Sequence, residues 1–280
     1  MRATASAPGS SANLGPGFDV LAVAFEMRCR VAAEPSTTWS VTELGNTYQP
    51  TPDSLVAQAT ALAGPGPFAL HVENDIPRAR GLGSSAALTT AVAAAALRAS
   101  GTEPKAEQVF EFVGDLEGHY DNAAAAVYGG CVAAFGGRWT QLAVDPNLVF
   151  IAAIPDAPLA TAKARDALSA SVDRGVAARS LGRIVFLVEG LRTGDPAVFA
   201  AAAGDEMHEA PRAELSPLTG SLIAAAYEGG ALHAAWSGAG PTALAVSDAD
   251  RVDQVSAAMA VVLGDVGTVQ QIAVSAEGWA

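Results

Sequence analysis

Pro77-Arg78-Ala79-Arg80-Gly81-Leu82-Gly83-Ser84-Ser85-Ala86-Ala87 is the most informative stretch of this 280-residue chain. Its two glycines let the backbone turn with positive φ and come close to a ligand. The serines, the alanine-rich run after them and Gly101 beyond it predict a helix from Ser84 to Ser100. A helix starting there offers free N–H groups and the positive end of its dipole to an anion. No Lys follows the second glycine, so this is not a Walker A loop. A plain glycine turn with a serine cap is the competing reading. Two glycines, two serines and a small-residue helix in one place favour a phosphate site.

The flanking segments read as a mixture of strands and helices. Pro67–Glu73 alternates Phe68, Leu70 and Val72 inward, as a strand does. Val20–Ala33 and Trp39–Leu44 also read as strands, and the Gly-, Ser- and Pro-rich run from Pro8 to Gly17 as a loop. Asp53–Ala63 and Pro104–Leu116 read as helices, the second with Val109, Phe112, Val113 and Leu116 at helical spacing. Gly130–Phe135 and Trp139–Val144 form a predicted hairpin, and Leu148–Ile154 a buried strand. Beyond it come helices at Arg174–Leu191, Asp195–Ala203, Pro217–Ala226 and Asp250–Leu263, with strands at Leu232–Trp236, Thr242–Val246 and Thr268–Val274. Strands and helices do not alternate regularly, which favours an α+β class over a doubly wound sheet. A turn at Pro155 and Pro158 predicts two domains, 1–155 and 156–280.

Composition narrows the function. Half the residues are apolar, only 6% are aromatic, and the formal charge is −13. The core is therefore built from small side chains that let elements approach closely. The acidic balance argues against nucleic-acid binding and against anionic membrane surfaces. Cys29 and Cys131 form neither a disulfide framework nor a zinc set, so a reduced cytoplasm is the simple expectation. No targeting or transmembrane segment is read in the chain. Two other glycine strings are decoys. Gly15-Pro16-Gly17 has Val20 where a dinucleotide fingerprint needs a third glycine. Gly238-Ala239-Gly240-Pro241 leads into the strand-like Ala243–Val246, where a Rossmann site needs a helix. A nicotinamide oxidoreductase is disfavoured.

Three separated segments together resemble the GHMP small-molecule kinases: Pro8-Gly9-Ser10-Ser11-Ala12-Asn13-Leu14-Gly15-Pro16-Gly17-Phe18-Asp19, the loop at 81–87, and Ser237-Gly238-Ala239-Gly240-Pro241-Thr242. Within that superfamily the first segment is similar to the form found in homoserine kinases. So are Glu117-Gly118-His119-Tyr120-Asp121-Asn122, Thr161-Ala162-Lys163-Ala164-Arg165 and His208-Glu209-Ala210-Pro211-Arg212, the last two with altered positions. The resemblance implies an N-terminal domain like the second domain of ribosomal protein S5, a ferredoxin-like C-terminal domain, and a homodimer.

The resemblance also implies ATP as co-substrate, Mg²⁺, and a small amino-acid acceptor, L-homoserine. Pro77, Arg80, Gly81, Leu82, Gly83, Ser84, Ser85, Ala86 and Ala87 are then the nucleotide-binding residues. Ser85 and Glu111 are the metal pair, although Glu111 shares a helical face with Glu107 and Asp115 and otherwise reads as part of a solvated acidic stripe. Asn13, Asp19, His119, Asn122, Thr161, Arg165 and Arg212 bind the acceptor, with arginines for its carboxylate and Asp19 for its ammonium. Asp121, Asn122 and Arg165 are carried over as catalytic. Asp121 is either a general base or a bystander to an Asn122 that orients the hydroxyl. Ser54, the short stretch between residues 33 and 53, and Ala123-Ala124-Ala125 depart from the family pattern. They leave room for a relative with another hydroxylated acceptor, or for a non-catalytic ligand-binding relative.

Overall fold

A computed structural model describes residues 1–280. The N-terminal part is a seven-stranded sheet covered by helices. Its elements are β1 (Ala3–Asn13), β2 (Gly17–Pro35), β3 (Ser40–Glu43), β4 (Asn46–Tyr48), α1 (Leu55–Ala59), β5 (Phe68–Asn74), α2 (Ser84–Ala99), α3 (Ala106–Glu117), α4 (Tyr120–Tyr128), β6 (Cys131–Phe135) and β7 (Arg138–Leu142). The strands run β4-β3-β5-β2-β6-β7, with β1 antiparallel on β2. At the outer end of β1 and β2 every second residue faces inward: Ala5 and Ala7 lie opposite Val31 and Cys29, and all four are buried. Helix α2 is almost wholly buried from Ala86 to Leu97. Its alanines let its backbone lie close on β1 and β2, as the composition predicts.

The second sheet holds β8 (Leu148–Pro155), followed by α5 (Thr161–Asp166), α6 (Arg174–Thr193), α7 (Pro196–Ala202), α8 (Glu209–Arg212) and α9 (Pro217–Glu228). The chain then forms β9 (His233–Trp236), β10 (Ala243–Asp248), α10 (Val252–Leu263) and β11 (Gly267–Ile272). The spatial order β11-β8-β10-β9 is antiparallel throughout. It is the ferredoxin-like arrangement. Leu222 and Ala226 of α9 and Val255 and Met259 of α10 cover Ile151, Ala153 and Ala245 in one apolar layer.

Three expectations change. The segment from Pro8 to Asn13 is strand, not loop, because its glycine and serines face a neighbouring loop instead of solvent. The domain boundary at 155/156 cuts a sheet: β8 pairs with β10 and β11, so the change of sheet falls earlier, at an Asx turn. There Asn147 donates from its backbone N–H and its Nδ2 to Asp145 Oδ1, at 2.9 and 2.8 Å. The prolines at 155 and 158 mark the end of a core strand. Helices α4, α5 and α8 were also missed. Each is short or carries polar residues that break the apolar period.

The chain's last residues return to the first sheet. Val274 bridges to Phe25, Ser275 N donates to Ala24 O at 2.9 Å, and Gly130 N donates to Ser275 O at 2.7 Å. This fills the gap along β2 between β5 and β6. Gly278 lies on the end of α4, where a Cβ would come 2.0 Å from Val127 O. Trp279 packs against the large core cluster that spans both sheets and against the cluster under α3 and α4, with the Arg98 guanidinium 5.0 Å over its ring. Trp279→Ala should lower the unfolding free energy by about 2–4 kcal/mol in a denaturant titration. A loss under about 1 kcal/mol would place the tail outside the cooperative unit.

Candidate active site

The three glycine-containing segments meet at one point. Ser237 Oγ donates to Gly81 O at 2.6 Å, Ser10 N to Leu82 O at 3.0 Å and Gly238 N to Ala12 O at 2.9 Å. The glycines are needed for space as well as conformation. A Cβ on Gly81 (φ +74°) would lie 2.0 Å from Ser237 O, and one on Gly83 (φ +66°) 2.2 Å from Ser10 Oγ. The loop is thus held from behind by β1 and by the turn between β9 and β10. It leaves the start of α2 open to a cleft of about 340 Å³.

Gly83 is the residue before α2 and caps it with no side chain. The N–H groups of Ser84, Ser85 and Ala86 have no acceptor in the protein, and all three residues line the cleft. Ala87 does not: its N–H makes the first helical bond, to Gly83 O at 3.0 Å, and the residue is fully buried. It leaves the set of cleft residues. Pro77, Arg80, Gly81, Leu82 and Gly83 line it. Arg80, however, spends its guanidinium on the carbonyls of Pro155, Arg78 and Asp156. It anchors the loop to the end of β8.

The carboxylate beside Ser85 is Glu117, not Glu111. Ser85 Oγ and Thr89 Oγ1 donate to the same Glu117 Oε1 at 2.8 and 2.7 Å. Glu111 is exposed on α3 and away from the cleft. Six residues separate the two, so they point roughly 120° apart around the helix. The resemblance placed the carboxylate too early because α3 runs on to Glu117, with Gly118 alone between it and His119. The usable signal was a glutamate followed by a glycine helix cap. Hydroxyl and carboxylate oxygens facing free N–H groups fit a magnesium ion, which takes one or two carboxylates and completes its shell with phosphate and water. No cluster of three His, Cys, Asp or Glu side chains competes for a metal elsewhere.

The opposite wall gathers Asn13, Asp19, His119, Asp121, Asn122, Thr161, Arg165 and Arg212. Arg165 grips Asp19 with both nitrogens, at 2.8 and 3.2 Å. Asn13, with φ +72°, holds the loop's shape: its Nδ2 donates to Gly238 O at 2.8 Å and its Oδ1 accepts from Asp19 N at 3.0 Å. Arg212 is buried and donates to Ala164 O, Gly238 O and His208 Nδ1. No hydrogen bond in the protein uses its Nη2. Burial lowers its pKa to about 10, so it stays charged at neutral pH. Because arginine only donates, His208 Nδ1 must accept, and its Nε2–H donates to Gly15 O at 2.8 Å. Burial holds this neutral His208 down at about 4.

Asp121 lies in the first turn of α4 and is fully buried. Its Oδ1 accepts from Asn122 N at 2.7 Å and lies 3.6 Å from His119 Nδ1. Burial raises its pKa, opposed by His119 and by the Asn122 N–H. The cleft therefore has one wall suited to phosphate and an oxygen-ligated cation. The other wall carries a carboxylate, two guanidiniums and a second, poorly solvated carboxylate.

The chain matches the GHMP kinase N-terminal domain over residues 54–130 and the GHMP kinase C-terminal domain over residues 187–262. It is 34% identical to the homoserine kinase of Synechocystis, aligned over 94% of this chain and 92% of that one. It is 35% identical to the homoserine kinase of Thermus thermophilus, over 93% and 92%. The chain belongs to the homoserine kinase family of GHMP kinases. The crystal structure of a homoserine kinase from Cytophaga hutchinsonii shares the fold, with a TM-score of 0.87 at 24% identity, covering 100% of this chain and 96% of that one. In this GHMP kinase the departures noted in the sequence have plain structural roles. Ala123, Ala124 and Ala125 are buried in α4 against α3. Ser54 caps α1, accepting from Ala57 N at 3.3 Å, and sets Leu55 on the rim of the cleft.

Glu117→Gln should lower kcat by about 100-fold or more, whereas Glu111→Gln should stay within about twofold of wild type. The reverse ranking in steady-state assays would restore Glu111. The His208 pKa falls from 6.5 to about 4 on folding, so the unfolded chain binds the proton more tightly. Stability from this group is complete above pH 6.5 and is lost as the pH falls toward 4. Between pH 7 and 4, wild type should lose about 3 kcal/mol more stability than His208→Gln. Parallel pH profiles would refute the neutral, buried His208.

Proposed function

We propose that the protein transfers the γ-phosphoryl group of ATP to the side-chain hydroxyl of L-homoserine, giving O-phospho-L-homoserine and ADP, a step toward threonine. The observation that carries this reading is the pairing in one cleft of an open helix N-terminus at Ser84–Ala86 with the Asp19, Arg165 and Arg212 set. The free N–H groups suit the nucleotide phosphates. Arg212 and Arg165 suit a carboxylate, and Asp19 an ammonium. The acceptor thus read is an α-amino acid with a hydroxyl that reaches toward the phosphates.

In this reading Ser85 and Glu117 hold Mg²⁺, which supplies charge neutralisation on the phosphate oxygens. The hydroxyl oxygen forms a bond to the γ-phosphorus as the bond to the β–γ bridging oxygen breaks. The hydroxyl proton leaves to a base or to water. Asn122 orients the hydroxyl through its amide. Asp121 has a pKa raised by burial, which suits a proton acceptor, but its Oδ1 is already engaged by the Asn122 N–H. Asp121→Asn separates the two roles. A fall in kcat of about 100-fold or more marks an essential base. Turnover within about threefold of wild type leaves Asn122 to orient an acceptor that needs none.

A homodimer in the cytoplasm completes the proposal, on the family resemblance and on the buried free thiols of Cys29 and Cys131. The test of function is ADP release with L-homoserine set against serine, threonine and other hydroxylated amino acids. The expected result is turnover with homoserine at least about tenfold more efficient than with the others. A different preferred acceptor would refute homoserine as substrate. ATP binding without turnover of any acceptor would refute the kinase reading.

A further inference from the structure

Ser10 is fully buried where the two walls of the cleft join. Its backbone N–H donates to Leu82 O at 3.0 Å, inside the phosphate loop. Its hydroxyl donates to Asn122 Oδ1 at 2.9 Å, on the acceptor side. Its Oγ lies against the bare Cα of Gly83, where a Cβ would come within 2.2 Å. One residue of β1 therefore touches both the loop that receives phosphate and the amide that faces the acceptor.

Chemistry settles which way that amide points. Asn122 Nδ2 lies 3.3 Å from Asp121 Oδ1, an oxygen that already accepts the Asn122 backbone N–H at 2.7 Å. The nitrogen must face Asp121, which leaves Oδ1 for a donor, and the donor present is the Ser10 hydroxyl. Without it the amide has no fixed partner at its oxygen and is free to turn. The neighbouring Ser11 is the contrast. It is equally buried, but its hydroxyl has no hydrogen-bond partner at all.

We propose that Ser10 is a positioning residue: its hydroxyl fixes the Asn122 amide while its backbone fixes the phosphate loop, so the two reacting groups are held in one register. The inference rests on the phosphoryl-transfer reading above. It assigns Ser10 no contact with either substrate. Its effect passes through Asn122, and it appears in turnover, not in binding.

The test is a double-mutant cycle in the full-length protein, with Ser11→Ala as a control for disturbance of β1. Ser10→Ala should lower kcat by about 10- to 100-fold, with KM for ATP and for the acceptor changed by less than about threefold. Ser11→Ala should stay within about twofold of wild type. In an Asn122→Ala background, Ser10→Ala should cost less than about twofold more, since the group it positions is gone. Equal losses in both backgrounds, or a Ser10→Ala enzyme as fast as wild type, would overturn the proposal. If Ser10→Ala does not fold, Ser10→Cys replaces it. Its thiol fills the same contact and donates weakly, so a smaller loss is expected that also vanishes without Asn122. Wild-type protein that phosphorylates no acceptor would sink the kinase reading and this inference together. An active enzyme indifferent to Ser10 sinks only the inference.

Discussion

The contact on which the rest of the cleft depends is backbone against backbone, with Gly81 pressed on the Ser237 carbonyl and Gly83 on Ser10. No side chain fits in either place. The loop therefore cannot relax toward the protein interior, and its outer face is presented to the cleft. The result is a run of N–H groups, at Ser84, Ser85 and Ala86, that nothing in the protein satisfies. Unsatisfied donors are unfavourable unless water or a ligand takes them. The fold tolerates these because they open on the cleft. This also answers how a chain with a net charge of −13 can attract a polyanion. The attraction is local, made of aligned N–H dipoles at the start of α2, and it needs no basic surface.

The acceptor wall follows a different logic, because it buries full charges. A buried guanidinium is costly unless its donors are taken. Arg212 meets that demand with two carbonyls and the lone pair of a neutral histidine, and its guanidinium carbon sits 5.6 Å over the Phe18 ring. That leaves Nη2 as spare binding capacity on a group that cannot move far. Arg165 differs: it is half-exposed and paired with Asp19, whose own backbone sits at φ +53°. A zwitterion entering between Asp19 and Arg165 could replace each partner with an opposite charge of its own. A ligand with only an amine or only an acid would leave one of the two unpaired. The charges of the pair are thus complementary to a zwitterion before any shape is considered.

The glycine-serine loop was legible in the sequence because backbone conformation forces particular residue types there. Positive φ at 81 and 83 and a small-residue helix leave few other interpretations. Asn13, Asp19, His119, Asp121 and Asn122 line the cleft, and only resemblance pointed to them, since nothing in their local pattern distinguishes a turn former from a ligand. What failed were distances along the chain. Glu111 and Glu117 lie on the same helix, and a position along the chain says nothing about where that helix ends. The break between domains was placed at prolines, although the hydrogen-bond partners of Leu148–Pro155 lie a hundred residues downstream. Strand pairing over such separations leaves no local trace. Likewise Pro8–Asn13 has the composition of a loop, and only the neighbouring loop that its small residues accommodate explains why it is a strand.

Helix α4 is the element that turns these separate walls into one site. Its N-terminus places Asp121 and Asn122 at the cleft, and its C-terminus is closed by Gly129, against which the returning tail packs. The opposing influences on Asp121 are consistent with that position. The start of a helix favours a carboxylate, while complete burial disfavours it, and burial is the stronger, since the pKa rises. A carboxylate balanced in this way needs its surroundings held still, because small changes in solvation would shift the balance. The alanines at 123–126 supply that rigidity. They are fully buried and leave α4 no side-chain freedom with which to adjust. That rigidity is shared: α4 can be rigid only while β1, α2 and the tail keep their contacts with it.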